Sequence, residues 1–197
     1  NLTKFMLKSD LLTMGEKCRK FEKEFSKKAN TKYSVLCNSG ASANLILLQS
    51  LKNLGIFKTG DTIGFTAVTW ATNVMPIIQM GFKPLPIDIE MQYLNNTAEK
   101  IKPFIKNMKA MFISNVLGFT GDLFNIRDLC EENNVILLED NCESLGTCYK
   151  GKLTGTFGKA ATNSFYVAHH ISTIEGGMLS TNNPDWDEMF RMIRANG

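Results

Sequence analysis

Between Gly15 and Ala29 the apolar residues Cys18, Phe21 and Phe25 recur at three- and four-residue steps among lysines and glutamates. That spacing predicts an amphipathic helix with a solvated charged face. The period then changes. Tyr33-Ser-Val-Leu-Cys37 is short and apolar, as a buried strand is, and runs through Asn38-Ser39-Gly40-Ala41-Ser42 into a helical spacing of Leu45, Leu48, Leu51 and Leu54. Lys58-Thr-Gly60-Asp61 marks a turn before a strand at Thr62–Thr66, and Thr69-Trp70 opens the next helix. Two prolines confine Phe82–Asp88 to an edge or irregular strand, and Asp88 reads as structural. Further strands are predicted at Ala110–Asn115, Val135–Asp140, Ala160–Tyr166 and Gly177–Thr181, and further helices at Asn96–Asn107 and Asn125–Asn133. Val116–Asp122 and Gly151–Gly158 read as loops, and Asn183-Pro184-Asp185 starts a closing helix with Trp186, Met189, Phe190 and Ile193 on its apolar face. This alternation predicts a three-layer α/β/α fold around a mainly parallel, seven-stranded sheet. In such folds ligands bind beyond the carboxyl ends of the strands.

Composition narrows the classes. The chain has 197 residues, 44% of them hydrophobic, enough for one well-buried domain. A net charge of +3 with no long Lys/Arg run argues against nucleic acid and fits an anionic small molecule better. No apolar run approaches the roughly 20 residues that span a bilayer, and Asn1–Asp10 lacks a basic region followed by an apolar segment, so a soluble, cytoplasmic chain with no membrane partner is expected. Five cysteines without a Cys-x-x-Cys pair suit a reducing compartment. No metal site is expected.

Several positions carry candidate chemistry. His169 and His170, the only histidines, follow a predicted strand, and imidazole titrates near neutrality, which suits proton transfer; the plainer reading is a loop pair making ordinary hydrogen bonds. The small-residue turn before the helix, around Gly40, Ala41 and Ser42, would present unpaired backbone N–H groups to an anion, or it is simply capped by Asn38 or Ser39. No Gly-Lys-Ser/Thr follows, so it is not a Walker A loop. Val135–Asp140 is a continuous apolar strand that ends in two carboxylates. Asp140 there is a site candidate, against the bland alternatives of a helix cap or a salt-bridge member. Trp70, at another strand-to-helix junction, is either core packing or a ligand contact.

Ser164-Phe-Tyr-Val-Ala-His169, followed by Glu175-Gly176-Gly177, resembles a family motif. The chain as a whole is similar to the large domain of the DegT/DnrJ-type sugar aminotransferases, pyridoxal-phosphate enzymes of fold type I, whose motif reads Ser-Phe-x-x-x-Lys and then Glu-Gly-Gly. The family's lysine bonds covalently to the cofactor; here His169 stands in its place. An imidazole forms no stable Schiff base but still moves a proton. His169, His170-Ile171 and the acid Glu143, where aminotransferases usually have Gln, resemble the family's dehydratase branch. That branch removes the C3 hydroxyl from nucleotide-linked 4-keto-6-deoxyhexoses in deoxysugar biosynthesis for surface polysaccharide. The resemblance implies pyridoxal 5′-phosphate or its pyridoxamine form as cofactor. It implies Gly40, Ala41, Ser42 and Ser164 at the phosphate, although Ala41 stands where a hydroxyl is usual. It further implies Trp70 against the ring, Asp140 at the pyridine nitrogen, Glu143 as a further cofactor contact and His169 as the catalytic base. It also implies L-glutamate as amino donor and a homodimer. Family members continue beyond Arg194-Ala-Asn-Gly197 into a smaller domain, so residues 1–197 are expected to be a large domain lacking it. Two rival readings are an aminotransferase with a lysine supplied from elsewhere, Lys159 being nearest, and a non-catalytic relative that only binds cofactor or sugar nucleotide.

Overall fold

The computed structural model describes residues 1–195. Residues 196 and 197, at the expected domain boundary, lie outside the described residues. A short helix α1 (Leu2–Lys8) precedes α2 (Glu16–Ala29), β1 (Tyr33–Cys37) and α3 (Gly40–Asn53). Then come β2 (Thr62–Thr66), α4 (Ala71–Gln79), β3 (Lys83–Ile87), α5 (Ala98–Ile101), β4 (Ala110–Ser114), α6 (Leu123–Glu132) and β5 (Ile136–Asp140). A two-stranded ribbon, β6 (Cys148–Tyr149) and β7 (Lys152–Leu153), leads to β8 (Ala160–Ser164), β9 (Gly177–Thr181) and α7 (Pro184–Arg194).

The longer strands form one seven-stranded sheet in the order β1-β9-β8-β5-β4-β2-β3. Only β9 runs against the rest, pairing antiparallel with β1 and β8, while the other pairs are parallel. The proline-containing strand is β3, at the sheet edge, where a missing N–H costs no ladder bond. Alternate residues of each strand serve opposite layers. On β4, Phe112 packs with Leu47, Leu51, Phe57, Ile77 and Phe190 under α3, α4 and α7. Its neighbours Met111 and Ile113 join Ile101, Leu123 and Ile126 beneath α5 and α6. Phe25 of α2 meets Phe165 and Met178 in a smaller cluster. These layers are the three expected from the alternation. Across β4, β5 and β8, the residues Ser114, Asp140 and Thr162 fall in register, which lines up the strand ends that carry the candidate site.

Some local expectations need correction. The segment predicted as one helix over Asn96–Asn107 is a single α-turn followed by a 3-10 helix at Lys102–Asn107, with Pro103 in its first turn unable to donate to an α-helical ladder. Helix α6 starts at Leu123, two residues before the predicted Asn125, with Asp122 at the N-cap position; Asp122 accepts the Ala98 N–H at 2.9 Å and so is tied to α5. The predicted Gly151–Gly158 loop contains β7. Lys150 and Gly151 both adopt positive φ, the geometry of a tight hairpin turn whose twist matches its strands. Helix α1, for which the pattern gave no expectation, buries none of its residues.

Candidate active site

A cavity of about 470 Å³ opens beyond the carboxyl ends of β5 and β8, beside the first turn of α3. Gly40, Ala41, Trp70, Asp140, Glu143, Ser164 and His169 all line it. Ser42 does not. The Ser42 amide donates to Ser39 Oγ and its hydroxyl accepts from the same atom, both at 3.1 Å, so Ser39 is the helix cap and Ser42 belongs to that cap. The amides of Gly40 and Ala41 come first in the helix, where no intrahelical acceptor exists, and they are the ones at the cavity. Two glycines make this approach possible. A Cβ on Gly40 would lie 2.7 Å from Ser164 Cβ and 3.0 Å from Cys142 Sγ, and one on Gly177 would collide with the Ser39 carbonyl oxygen. Gly177 therefore lets the cap of α3 seat against β9.

Asp140 is only 7% exposed, and its carboxylate accepts three N–H bonds, which leaves Oδ1 room for one more. Oδ1 accepts the Cys142 N–H at 2.9 Å, while Oδ2 accepts from Asn44 Nδ2 at 3.0 Å and Asn73 Nδ2 at 2.8 Å. The bland sequence alternative of a salt bridge is not what forms. Burial first, and then the Asp140 carboxylate, push the Cys142 thiol well above its ordinary value, which favours the protonated form. Trp70 is 63% exposed, which excludes the core-packing alternative. Its indole Nε1 donates to Glu143 Oε1 at 2.9 Å, and Glu143 Oε2 accepts the Leu117 N–H at 2.9 Å. Glu143 thus ties the indole to the Val116–Gly118 turn.

His169 is half-buried on the cavity wall, on a turn closed by its own N–H donating to the Tyr166 carbonyl at 2.9 Å. The Tyr166 ring stands edge-on to the imidazole, with centroids 6.1 Å apart. His170 is exposed and outside the lining. Among the described residues no lysine lines the cavity. Lys159 lies at the opposite end of β8, 3.6 Å from the Glu131 carboxylate. Tyr166 and Glu175 also line the cavity without having been named as site residues, although both sit inside the strand-exit motif, and Cys142 lines it too. Asn44 and Asn73 were missed for a different reason: they are lone amides inside helical patterns. A buried-polar signal exists for Asn44 only in that it interrupts a leucine-rich helix.

A mainly parallel seven-stranded sheet whose carboxyl rim gathers a small-residue helix start, an exposed indole, a buried aspartate and a strand-exit motif has the fold of the PLP-dependent transferases. The chain belongs to the DegT/DnrJ/EryC1/StrS aminotransferase family, which it matches over residues 1–197. It is 36% identical to the GDP-4-keto-6-deoxy-D-mannose 3-dehydratase of Yersinia pseudotuberculosis, an alignment covering 100% of this chain and 51% of that protein. The solved structure of the E. coli GDP-4-keto-6-deoxy-D-mannose-3-dehydratase with bound hydrated PLP superposes with a TM-score of 0.93 at 36% identity, over 98% of this chain and 51% of the other. A further GDP-4-keto-6-deoxymannose-3-dehydratase structure, with a trapped PLP-glutamate geminal diamine, gives a TM-score of 0.93 at 35% identity over 98% of this chain and 51% of that one. The chain spans about half the length of the curated relatives it matches.

Proposed function

We propose that residues 1–197 are the cofactor-binding large domain of a dehydratase that uses pyridoxal phosphate in its pyridoxamine form to remove the C3 hydroxyl of a GDP-linked 4-keto-6-deoxyhexose. L-glutamate serves as amino donor, and the site lies in a homodimer. The observation that carries this reading is His169 on the wall of a cavity that no lysine lines.

The residues present fit the cofactor. The cavity has unpaired helix-start amides at Gly40 and Ala41, where both hydrogen-bond geometry and the helix dipole favour a phosphate, and Ser164 stands beside them. Asp140 supplies a buried carboxylate held by three N–H donors, the partner expected of a protonated pyridine nitrogen. Trp70 presents an indole to stack on an aromatic ring, held by Glu143. When bound, the cofactor supplies an electron sink for the charge left by proton removal. His169 takes a proton from the C4′ carbon and returns one to the departing C3 oxygen, so a single imidazole serves as base and acid. It cannot form the covalent bond that a lysine would, so it would leave a bound cofactor in its amine form unattached to the protein.

The test uses the full-length protein with pyridoxal phosphate, L-glutamate and GDP-4-keto-6-deoxymannose, with NMR of the sugar and an ammonia assay. A C3 methylene with ammonia released is the expected outcome. A C4 amino sugar without ammonia would show transamination and overturn the reading.

A further inference from the structure

Asn44 and Asn73 lie on different helices, α3 and α4, yet both amide nitrogens reach the same oxygen, Asp140 Oδ2. Their exposures are 0% and 1%, and a polar group so deeply buried is costly unless its bonding is complete. Every side-chain nitrogen and oxygen of the two amides has a partner here. Asn44 donates its second hydrogen to the Thr72 carbonyl at 3.1 Å, and its Oδ1 accepts from Thr162 Oγ1 at 2.6 Å. Asn73 Oδ1 accepts from Thr69 Oγ1 at 2.9 Å. Thr69 has one hydroxyl proton, already given to Asn73, so in its 2.6 Å contact with Ser114 Oγ the serine is the donor.

The direction of every bond follows. One chain runs Ser114 to Thr69 to Asn73 to Asp140, the other Thr162 to Asn44 to Asp140, and each donates toward the carboxylate. Flipping either amide would set a carbonyl oxygen against Oδ2, so the carboxylate fixes both orientations. Aligned bonds of this kind polarise one another in a water-poor interior. The network also spans the sheet. Ser114 lies on β4, Asp140 ends β5, and Thr162 lies on β8 two residues before Ser164, on the strand that leads to His169.

We propose that Asn44 and Asn73 are positioning residues, which act on the cofactor only through Asp140 by fixing its carboxylate from two helices and registering it to β8. This inference rests on the cofactor reading above. The test is equilibrium binding of pyridoxal phosphate to the full-length protein and to Asn44→Ala and Asn73→Ala, each made also in an Asp140→Ala background, with thermal unfolding in parallel. Loss of a hydrogen bond to a charged group predicts about ten- to hundredfold weaker binding for each single variant. In the Asp140→Ala background the same changes should alter affinity by less than about twofold while still lowering the melting temperature, since coupled residues are non-additive. Equal weakening in both backgrounds would mean a merely structural role and overturn the proposal, as would variants that bind as the wild type does. A wild-type protein that takes up no pyridoxal phosphate overturns the functional reading and this inference with it. Should an asparagine variant not fold, Thr69→Val and Thr162→Val remove the outer donor of each chain while keeping the side-chain shape. Several-fold weaker binding in these, abolished by Asp140→Ala, is expected, and unchanged binding would refute the proposal.

Discussion

His169 occupies a position where a change of one functional group changes the reaction open to the site. A lysine there offers an amine that forms a Schiff base, whereas an imidazole forms no stable one and offers proton transfer. His169→Lys should therefore lower ammonia release by about 10²- to 10⁴-fold, the usual worth of a general base. On borohydride treatment with pyridoxal phosphate, residue 169 should become covalently labelled, and peptide mass mapping reads that directly. A second residue-scale effect lies next to Asp140. Glu139 is fully buried and accepts N–H bonds from Gly155, Phe157 and Gly158 at 2.6–2.7 Å, stapling the end of the β7–β8 loop to β5. Burial pushes its carboxyl up from the ordinary value near 4.5, although the backbone donors pull the other way. The folded state then holds the proton more tightly than the unfolded chain. This contribution is complete below pH 4.5 and is lost as pH rises through the raised value. Glu139→Gln has no proton to lose, so the difference in melting temperature between it and the wild type should change with pH in that window. An unchanged difference would contradict the assignment.

At the scale of elements, the site depends on how closely the start of α3 approaches β8 and β9. Gly177 pairs with Cys37 on one side and Ser164 on the other, and the Ser39 carbonyl sits where a side chain would begin. Gly177→Ala must push α3 away from the sheet, because the obstacle is backbone that cannot rotate aside. Overpacking of this sort costs about 1–3 kcal/mol. Denaturant unfolding should show that loss, and pyridoxal-phosphate affinity should fall with it, since the amides of Gly40 and Ala41 move too. The strands of the seven-stranded sheet were legible because most are short apolar runs that end at turn residues or carboxylates, whereas the two-residue strands β6 and β7 are too short to show a period. Helix limits were less legible. Pro103 breaks a helical stretch, and the Asp122 to Ala98 bond, which helps to set where α6 begins, joins residues far apart in sequence.

For the molecule as a whole, large apolar side chains stay exposed: Trp70 and Tyr166 line the cavity, and Val167 and Ile174 are chain neighbours of its lining residues. Apolar surface gathered at a binding site is the usual mark of a surface that something else covers. A homodimer is the expected state of the full-length protein, and sedimentation velocity should give the dimer mass; a monomer across the concentration range would remove that element of the proposal. The sequence by itself determined the alternation of strands and helices, the positions of Trp70, Asp140 and Ser164 after strands, and the Ser164 to His169 motif that carries the family resemblance. Each of these is carried by local periodicity or by a contiguous motif. Only the tertiary structure decided that β9 runs antiparallel between β1 and β8, that Glu143 holds Trp70 across 73 residues, and that Asn44 and Asn73 converge on Asp140 across 96 and 67. Those contacts depend on the order in which strands pair, and a side chain buried by a distant partner leaves no periodic trace in its own segment.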